Sequence, residues 1–112
     1  MKTSYIRFLN LIDALDRMNP GRTLDQIEIA LLEHILRFSK QDDKLLVGDL
    51  LGLKGLGSQA TLHGRLKNLI ALGYVKLFTD KKDGRKKFVI PTKLGLKYIQ
   101  FMSECLENAI KT

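Results

Sequence analysis

The N-terminal third of the chain contains two stretches in which apolar residues recur every three or four positions, the spacing of one helix face. The first stretch covers residues 4–18 and stops at Asn19-Pro20-Gly21, because proline cannot continue a helix and glycine permits a reversal. We expect Thr23 to cap the second helix, with Gln26 completing a capping box. The apolar face of this second helix consists of Leu24, Ile27, Leu31, Ile35 and Phe38.

Beyond a polar loop at residues 39–43, shorter elements follow one another. Leu45-Leu46 predicts a short extended segment, and residues 48–51 predict a short helix. A glycine-rich connection then leads to a longer helix at residues 58–72, which Gly57 or Ser58 caps and Gly73 ends. The buried stripe of this longer helix consists of Leu62, Leu66 and Leu69.

The next segment has the pattern of a hairpin with a charged tip. Residues 74–79 predict one strand, with Val75 and Leu77 on one face, and residues 86–90 predict the returning strand. Phe88 and Ile90 are expected to face inward, and Asp83-Gly84 is a strong turn signal. Thr92 then caps a last helix that runs to Ile110. The fold class predicted is mainly α with a small β-hairpin.

A short helix, a turn, a longer helix and a basic hairpin, in this order, are typical of a winged helix-turn-helix. In such a unit the second helix enters the major groove of DNA, and the wing lies against the backbone or the minor groove. The sequence therefore predicts a recognition helix at residues 58–72 and a wing at residues 80–87. The chain is expected to form a single domain over residues 1–112.

One face of the predicted recognition helix is suited to lie close to a DNA groove. If Leu62 faces the core, the opposite side carries Ala60, Thr61, Gly64, Lys67, Asn68 and Ala71. The residues at its leading end or flanks are Ser58, Gln59, His63 and Arg65. These residue types either leave room for a groove or pair with base edges and phosphates. The alternatives are Gly64 as a tolerated glycine, Gln59 as a packing residue and His63 as a phosphate-facing residue. Arg65 could also be an exposed salt-bridge residue, although no acid lies within one turn of it.

Charge strengthens this interpretation. The 112-residue chain has a formal net charge of +7, yet residues 53–99 hold eleven Lys and Arg against only Asp80 and Asp83. The cations that crowd the wing are Lys81, Lys82, Arg85, Lys86 and Lys87. A cluster of this kind indicates a polyanionic partner, although a merely solvated hairpin tip is the alternative. Arg85 is the candidate for minor-groove insertion, and Asp83 is expected to orient its guanidinium in a fork-like pair.

Several short motifs share the order of one known family. They are Gly48-Asp49-Leu50-Leu51, Ser58-Gln59-Ala60-Thr61, Leu72-Gly73-Tyr74-Val75, Asp80-Lys81-Lys82-Asp83-Gly84-Arg85 and Pro91-Thr92-Lys93-Leu94-Gly95. On these motifs the chain resembles the winged helix-turn-helix regulators of the MarR family. The wing motif is the most specific, and the resemblance implies that Arg85 is the groove arginine and that Asp83 positions it. It also implies a bacterial-type transcriptional regulator.

The terminal helices, residues 3–18 and 93–110, carry more apolar residues than one core-facing stripe requires. We expect them to form the dimerisation helices of a homodimer, although wrapping a small core is the alternative. The candidate interface residues are Tyr5, Phe8, Ile12, Tyr98, Phe101, Met102, Cys105 and Leu106. A twofold dimer would place its recognition helices in successive major grooves, roughly 34 Å apart. Cys105 is expected to pack as a small apolar residue.

Other classes of protein fit the sequence less well. The chain lacks a run of about 18 apolar residues for crossing a membrane and a leader for secretion, so a cytoplasmic location without a membrane partner is expected. Cys105 is the single cysteine, so neither a disulfide nor a thiolate metal cage is expected. His34 and His63 lie in different helices, and the glycines do not form a phosphate loop. We therefore expect no catalytic residue, no metal and no cofactor, and His34 is interpreted as structural.

The leading hypothesis is a sequence-specific regulator that binds double-stranded DNA as a homodimer. One alternative is a winged-helix module whose basic wing docks an acidic protein. Another is an RNA-binding domain, against which stands the lack of clustered aromatic residues on a sheet, the usual platform for single strands. The sequence does not identify an effector ligand.

Overall fold

The computed structural model describes residues 1–39 and 44–111, and these divide into two compact units. One unit comprises residues 24–96, and the other comprises residues 1–23 together with the chain from Lys97 onward. Most of the predicted polar loop, residues 40–43, lies outside the described residues.

The order of elements is the one that the sequence predicts. The helices are α1 (Ser4–Ala14), α2 (Gln26–Phe38), α3 (Val47–Leu51), α4 (Gln59–Ala71) and α5 (Lys93–Ile110). The strands are β1 (Leu45–Leu46), β2 (Val75–Thr79) and β3 (Lys87–Pro91). A short 3₁₀ turn at Asp16–Met18 follows α1. The predicted fold class, mainly helical with a small antiparallel sheet, is confirmed.

In the larger unit, the strands form an antiparallel sheet in the order β1-β3-β2. Leu45 and Leu77 both pair with Val89, and Phe78 pairs with Phe88. α2 packs against β3 and α4, and α3 packs against α4. The core is aliphatic, and its fully buried residues include Leu31, Leu32, Ile35, Leu50, Leu62, Leu69 and Val89.

The residues of β3 that point to the core differ from those predicted. Val89 is fully buried, whereas Phe88 and Ile90, which were expected to face inward, are only half-buried. Successive side chains of a strand point to opposite faces, so the burial of Val89 puts Phe88 and Ile90 on the other side of the sheet. Ser39 at the end of α2 donates a hydrogen bond to the carbonyl oxygen of Val89 (2.8 Å), which anchors this strand to that helix.

The start of α2 also differs from the prediction. The N-cap is Asp25 rather than Thr23, and the capping box is completed by Glu28 rather than Gln26. Asp25 Oδ1 accepts from the Glu28 amide at 2.8 Å, and Glu28 Oε1 accepts from the Asp25 amide at 2.9 Å. Thr23 with Gln26 and Asp25 with Glu28 both have the spacing of a capping box. Because α2 begins at Gln26, only Asp25 and Glu28 are in position to bond the free amides at its start.

The entry to α5 is tight. Gly95 lies against the carbonyl oxygen of Tyr74, where an added Cβ would come within 2.5 Å of that oxygen. The Thr92 hydroxyl accepts from the Gly95 amide (3.3 Å) and lies 3.0 Å from the same Tyr74 oxygen. The predicted capping role of Thr92 is therefore confirmed, and a side chain at position 95 would force this junction apart.

In the smaller unit, α1 and the main part of α5 are joined by specific contacts. Arg7 Nε donates to the carbonyl oxygen of Ala109 at 2.8 Å, near the end of α5. Gly21 lies against the Tyr98 ring, which an added Cβ would approach to 2.9 Å. Tyr98 and Cys105 are 4% and 2% exposed, so both are interior residues of one chain. Their predicted place on a dimer surface is therefore corrected.

Candidate nucleic-acid interface

The orientation of α4 follows from its three leucines. Leu62, Leu66 and Leu69 are buried, which turns the opposite face of the helix toward solvent. The exposed residues on that face and its flanks are Gln59, Ala60, His63, Gly64, Lys67, Asn68 and Ala71. Thr61 and Arg65 are half-buried. A Cβ at Gly64 would meet nothing within 4 Å, so packing within the chain does not require this glycine.

The first turn of α4 is organised by Ser58. Its Oγ accepts from the Thr61 amide at 3.1 Å and lies 3.0 Å from the Thr61 hydroxyl, to which it donates. Ser58 is thus the N-cap, one of the two capping residues that the sequence allowed. Gly73, with φ of +90°, closes the other end of the helix in a conformation that favours glycine.

Arg65 and Asn68 contact α2 rather than standing free. Arg65 Nε lies 2.7 Å from Asp25 Oδ2, and Asn68 Nδ2 donates to Glu28 Oε2. No acid lies within one helical turn of Arg65, so the sequence offered no sign of this ion pair. The fold supplies the partner from a helix about 40 residues away.

The wing tip is shaped by its two aspartates. The Asp80 amide donates to Lys86 O at 2.9 Å, and the Lys86 amide donates to Asp83 O at 3.0 Å, which closes the turn. Side-chain oxygens of Asp80 and Asp83 accept from the amides of Lys82 and Arg85, respectively. The two aspartates therefore accept hydrogen bonds from backbone amides of the tip, and the lysine side chains remain exposed.

Arg85 projects from this tip, with its side chain 94% exposed. Its Nε lies 3.4 Å from Asp83 Oδ1, the same oxygen that accepts from the Arg85 amide. The predicted fork-like pair is therefore reduced to a single long contact. Asp83 biases the direction of the arginine side chain without neutralising it, because so exposed a pair is well screened by water.

An aromatic pair lies at the base of the hairpin and was not predicted from the sequence. Phe78 and Phe88 stand opposite one another on β2 and β3, with ring centroids 5.3 Å apart. Lys44 Nζ lies 4.9 Å from the centroid of the Phe78 ring. Cross-strand aromatic pairs of this kind stabilise a two-stranded ribbon. The signal was present in the sequence as two phenylalanines equidistant from Asp83 in the turn.

A separate open cleft of about 260 Å³ lies beside α2 and is lined by His34, Phe38, Lys44, Leu45 and Asp49. The His34 and Phe38 rings are 4.6 Å apart. Burial, with a smaller contribution from the positive charge of Arg37, lowers the pKa of His34 below its ordinary 6.5. The neutral form of His34 is therefore favoured beside the aromatic ring, in agreement with a structural role. Within residues 1–39 and 44–111, no three His, Cys, Asp or Glu side chains gather as a metal site would need.

The smaller unit exposes an apolar surface on α1 and α5. The most exposed large side chains on these helices include Tyr5, Ile6, Ile110 and Leu106, at 68%, 55%, 59% and 52%. Phe8, Ile12, Phe101 and Met102 are half-buried. Of the predicted interface, the structure therefore leaves all but Tyr98 and Cys105 at least partly accessible. Cys105 is 2% exposed, as expected of a cysteine that packs as a small apolar residue. Burial, with a smaller contribution from Glu104, raises the pKa of its thiol.

These elements define a class of protein. α3, a glycine-bearing turn and α4 form a helix-turn-helix, and the β2-β3 hairpin with its cationic tip forms a wing. By fold, the chain is a winged helix-turn-helix protein, and the structures that it resembles include the MarR-family regulators that the sequence motifs indicated. In the part of the chain that the structure describes, no helix combines the length and apolar character needed to span a bilayer.

Comparison with solved structures supports this assignment of the fold. A DNA-bound mutant of S. aureus MepR is 19% identical, with a TM-score of 0.68 over 94% of this chain and 71% of that chain. The transcriptional regulator Tm0710 from Thermotoga maritima is 25% identical, with a TM-score of 0.64 over 97% of this chain and 77% of that chain. MarR is 19% identical, with a TM-score of 0.59 over 90% and 74%. No protein-family model and no curated protein matches the sequence.

Proposed function

We propose that the protein is a transcriptional regulator that binds specific sequences in double-stranded DNA as a homodimer. The observation that carries the proposal is the pairing of two exposed features in one unit. The recognition helix α4 presents small and polar residues around Gly64, and the wing presents five exposed cations, one of which is Arg85. Among the structurally similar proteins, the MepR mutant is bound to an oligodeoxyribonucleotide.

The two features suit different parts of a duplex. Ala60 and Gly64 lie one turn apart and have little or no side chain, so the axis of α4 can approach the floor of a major groove. Gln59, Thr61 and Lys67 then extend beside them toward base edges and phosphates. Arg85 at the wing tip is suited to a minor groove, where a narrow groove concentrates negative potential.

The homodimer rests on the exposed apolar surface of α1 and α5. Side chains such as Tyr5, Ile6, Leu106 and Ile110 are more than half exposed and lie in one unit. Apolar surface of this extent favours burial against a partner, and a second copy with the same surface gives closed twofold symmetry. We place such a dimer in the cytoplasm, on DNA.

Selection of bound sequences from a random duplex pool tests this function directly. We expect enrichment of a near-palindromic site whose half-sites are about one helical turn apart, roughly 34 Å. Thr61→Ala should change the enriched sequence more than the salt dependence of binding. A protein that binds no duplex in dilute buffer, or binds all sequences equally, would contradict the proposal.

Light scattering on surface variants tests the dimer. Leu106→Glu places a charge on the exposed apolar surface and should yield monomers, because burying an unpaired carboxylate is unfavourable. Ser103→Glu adds the same charge at an exposed polar position of the same helix and should leave the dimer intact. Monomeric wild-type protein would contradict the homodimer, and dimeric Leu106→Glu would show that the interface lies elsewhere.

A further inference from the structure

The capping box of α2 has a second set of contacts. Asp25 Oδ1 and Glu28 Oε1 form the box with the backbone amides, while the other oxygen of each carboxylate faces α4. Asp25 Oδ2 lies 2.7 Å from Arg65 Nε, and Glu28 Oε2 accepts from Asn68 Nδ2. All four carboxylate oxygens are thus engaged. Residues 65 and 68 are three apart, so both reach α2 from one face of α4.

Burial makes the Glu28 contact the consequential one, because the Arg65 and Asp25 side chains are 42% and 45% exposed. Glu28 is only 5% exposed, although it carries a carboxylate. Arg65 Nε is itself buried, and its N–H is not aimed squarely at an oxygen, so the Asp25 contact is an ion pair rather than a well-directed hydrogen bond. A buried carboxylate that lost the Asn68 amide would be left short of a partner, which opposes any rotation of α4 that breaks this contact.

The leucines beneath α4 fix the face that it turns to the core, but apolar contacts tolerate small rotations better than a directional contact does. Burial of Leu62, Leu66 and Leu69 is favourable wherever apolar surface is covered and has no preferred direction. A hydrogen bond, in contrast, weakens steeply when its length or angle changes. The leucines therefore set which face of α4 meets the core. The Asn68–Glu28 hydrogen bond, together with the Arg65–Asp25 ion pair, restricts smaller rotations of the helix about its own axis.

We propose that this capping box orients the recognition helix, and that Arg65 and Asn68 serve DNA binding as positioning residues that act through Asp25 and Glu28. The inference rests on the proposed function. It assigns base reading to accessible residues of α4 that make no contact with α2 among the hydrogen bonds and ion pairs described, namely Gln59, Ala60, Thr61, His63, Gly64 and Lys67.

An exchange of donor and acceptor tests the proposal. Asn68→Asp sets two carboxylates against each other and should weaken binding to the selected duplex by about tenfold or more. Adding Glu28→Gln should restore binding to within about threefold of wild type. The introduced glutamine donates from its amide nitrogen to the introduced aspartate, while its oxygen still accepts from the Asp25 amide. Glu28→Gln alone should bind well, because the Asn68 amide can turn its oxygen toward the glutamine nitrogen.

A charge-matched control separates positioning from repulsion by DNA. Asn68→Asp with Asp49→Asn has the same net charge as the rescued variant but leaves the two carboxylates in contact, so it should stay weak. Rescue by Glu28→Gln and not by Asp49→Asn supports the proposal. Rescue by both would show an effect of net charge, and rescue by neither would show that Asn68 contacts DNA itself. Either result overturns the positioning role.

Two readouts without DNA keep the contact testable independently of the proposed function. The thermal midpoint of Asn68→Asp should fall and should recover on adding Glu28→Gln, and the side-chain amide protons of Asn68 should shift in NMR spectra between wild type and Glu28→Gln. Absence of this coupling overturns the inference even if the wild type binds DNA. Coupling in a wild type that binds no duplex would instead refute the proposed function, and with it the positioning role.

Discussion

The recognition helix and the wing are held in place by opposite means. α4 is attached through three buried leucines and through the polar contacts of Arg65 and Asn68 with α2. The wing tip is held by a few hydrogen bonds to Asp80 and Asp83, and Arg85 extends almost fully into solvent. One region is thus set by the core, and the other depends on local turn chemistry.

The difference matches what each region is proposed to do. Reading base edges in a major groove requires side chains at set positions, which a helix fixed to the core provides. Electrostatic attraction to a minor groove needs charge and reach, and it tolerates a mobile arginine. Changes in the attachment of α4 should therefore alter stability as well as DNA binding, while changes in the wing should act on DNA binding alone.

The largest effect is expected from Leu66→Ala, which opens a cavity beneath α4. The expected loss in the free energy of unfolding is about 2–5 kcal/mol, a large part of the stability of a small domain. Leu72→Ala removes a leucine that is 46% exposed at the end of α4 and should cost much less. Urea unfolding followed by circular dichroism measures both. Equal losses would mean that the three leucines do not anchor the helix.

Arg85→Ala should weaken binding to the selected duplex by about 1–3 kcal/mol and leave the unfolding curve unchanged. The reason is that, among the described residues, the polar contact of its side chain is the single long one with Asp83. Gel shifts at fixed salt measure the loss, and Arg17→Ala, an exposed arginine outside the wing, is the control. Unaltered affinity would show that Arg85 does not contribute to DNA binding. A lowered unfolding midpoint would show that the wing, like α4, contributes to stability.

Gly64→Ala should move stability and DNA binding in opposite directions. Alanine favours an exposed helix interior by about 1 kcal/mol over glycine, and nothing within 4 Å obstructs the added methyl group. The same methyl group should hinder close approach to a groove and lower affinity. Gly48→Ala on α3, equally unobstructed, is the control that should spare binding. A stabilised Gly64→Ala protein that binds as well as wild type would make Gly64 a tolerated glycine only.

The smallest effect concerns His34 on α2, the helix to which α4 is attached. Burial, and to a lesser extent Arg37, lower its pKa below 6.5 in the folded chain, so the unfolded chain binds more protons just below that pH. Stability should therefore fall as the pH drops below about 6.5, and it should fall less in His34→Gln. Thermal midpoints across this range provide the measurement. Parallel curves would show that His34 does not contribute.

The sequence predicted best where local chemistry decides the structure. Ser58, the leucine spacing and Gly73 place α4 almost to the residue, since cap, apolar period and end signal agree. The sequence failed to predict the structure where two local arrangements were equally favourable. Thr23 with Gln26 and Asp25 with Glu28 are both acceptable capping boxes, and β3 has an apolar residue on each face, so neither choice follows from the segment alone.

The site shows the same division. The sequence by itself determined the order of elements, the small-residue face of α4 and the cationic tip, because helix period, turn residues and charge are properties of neighbouring positions. Only the tertiary structure decided that Tyr98 and Cys105 are interior, that Val89 faces the core, and that Asp25 and Glu28 contact Arg65 and Asn68. These outcomes depend on groups distant along the chain, whose directions are set only when the helices pack.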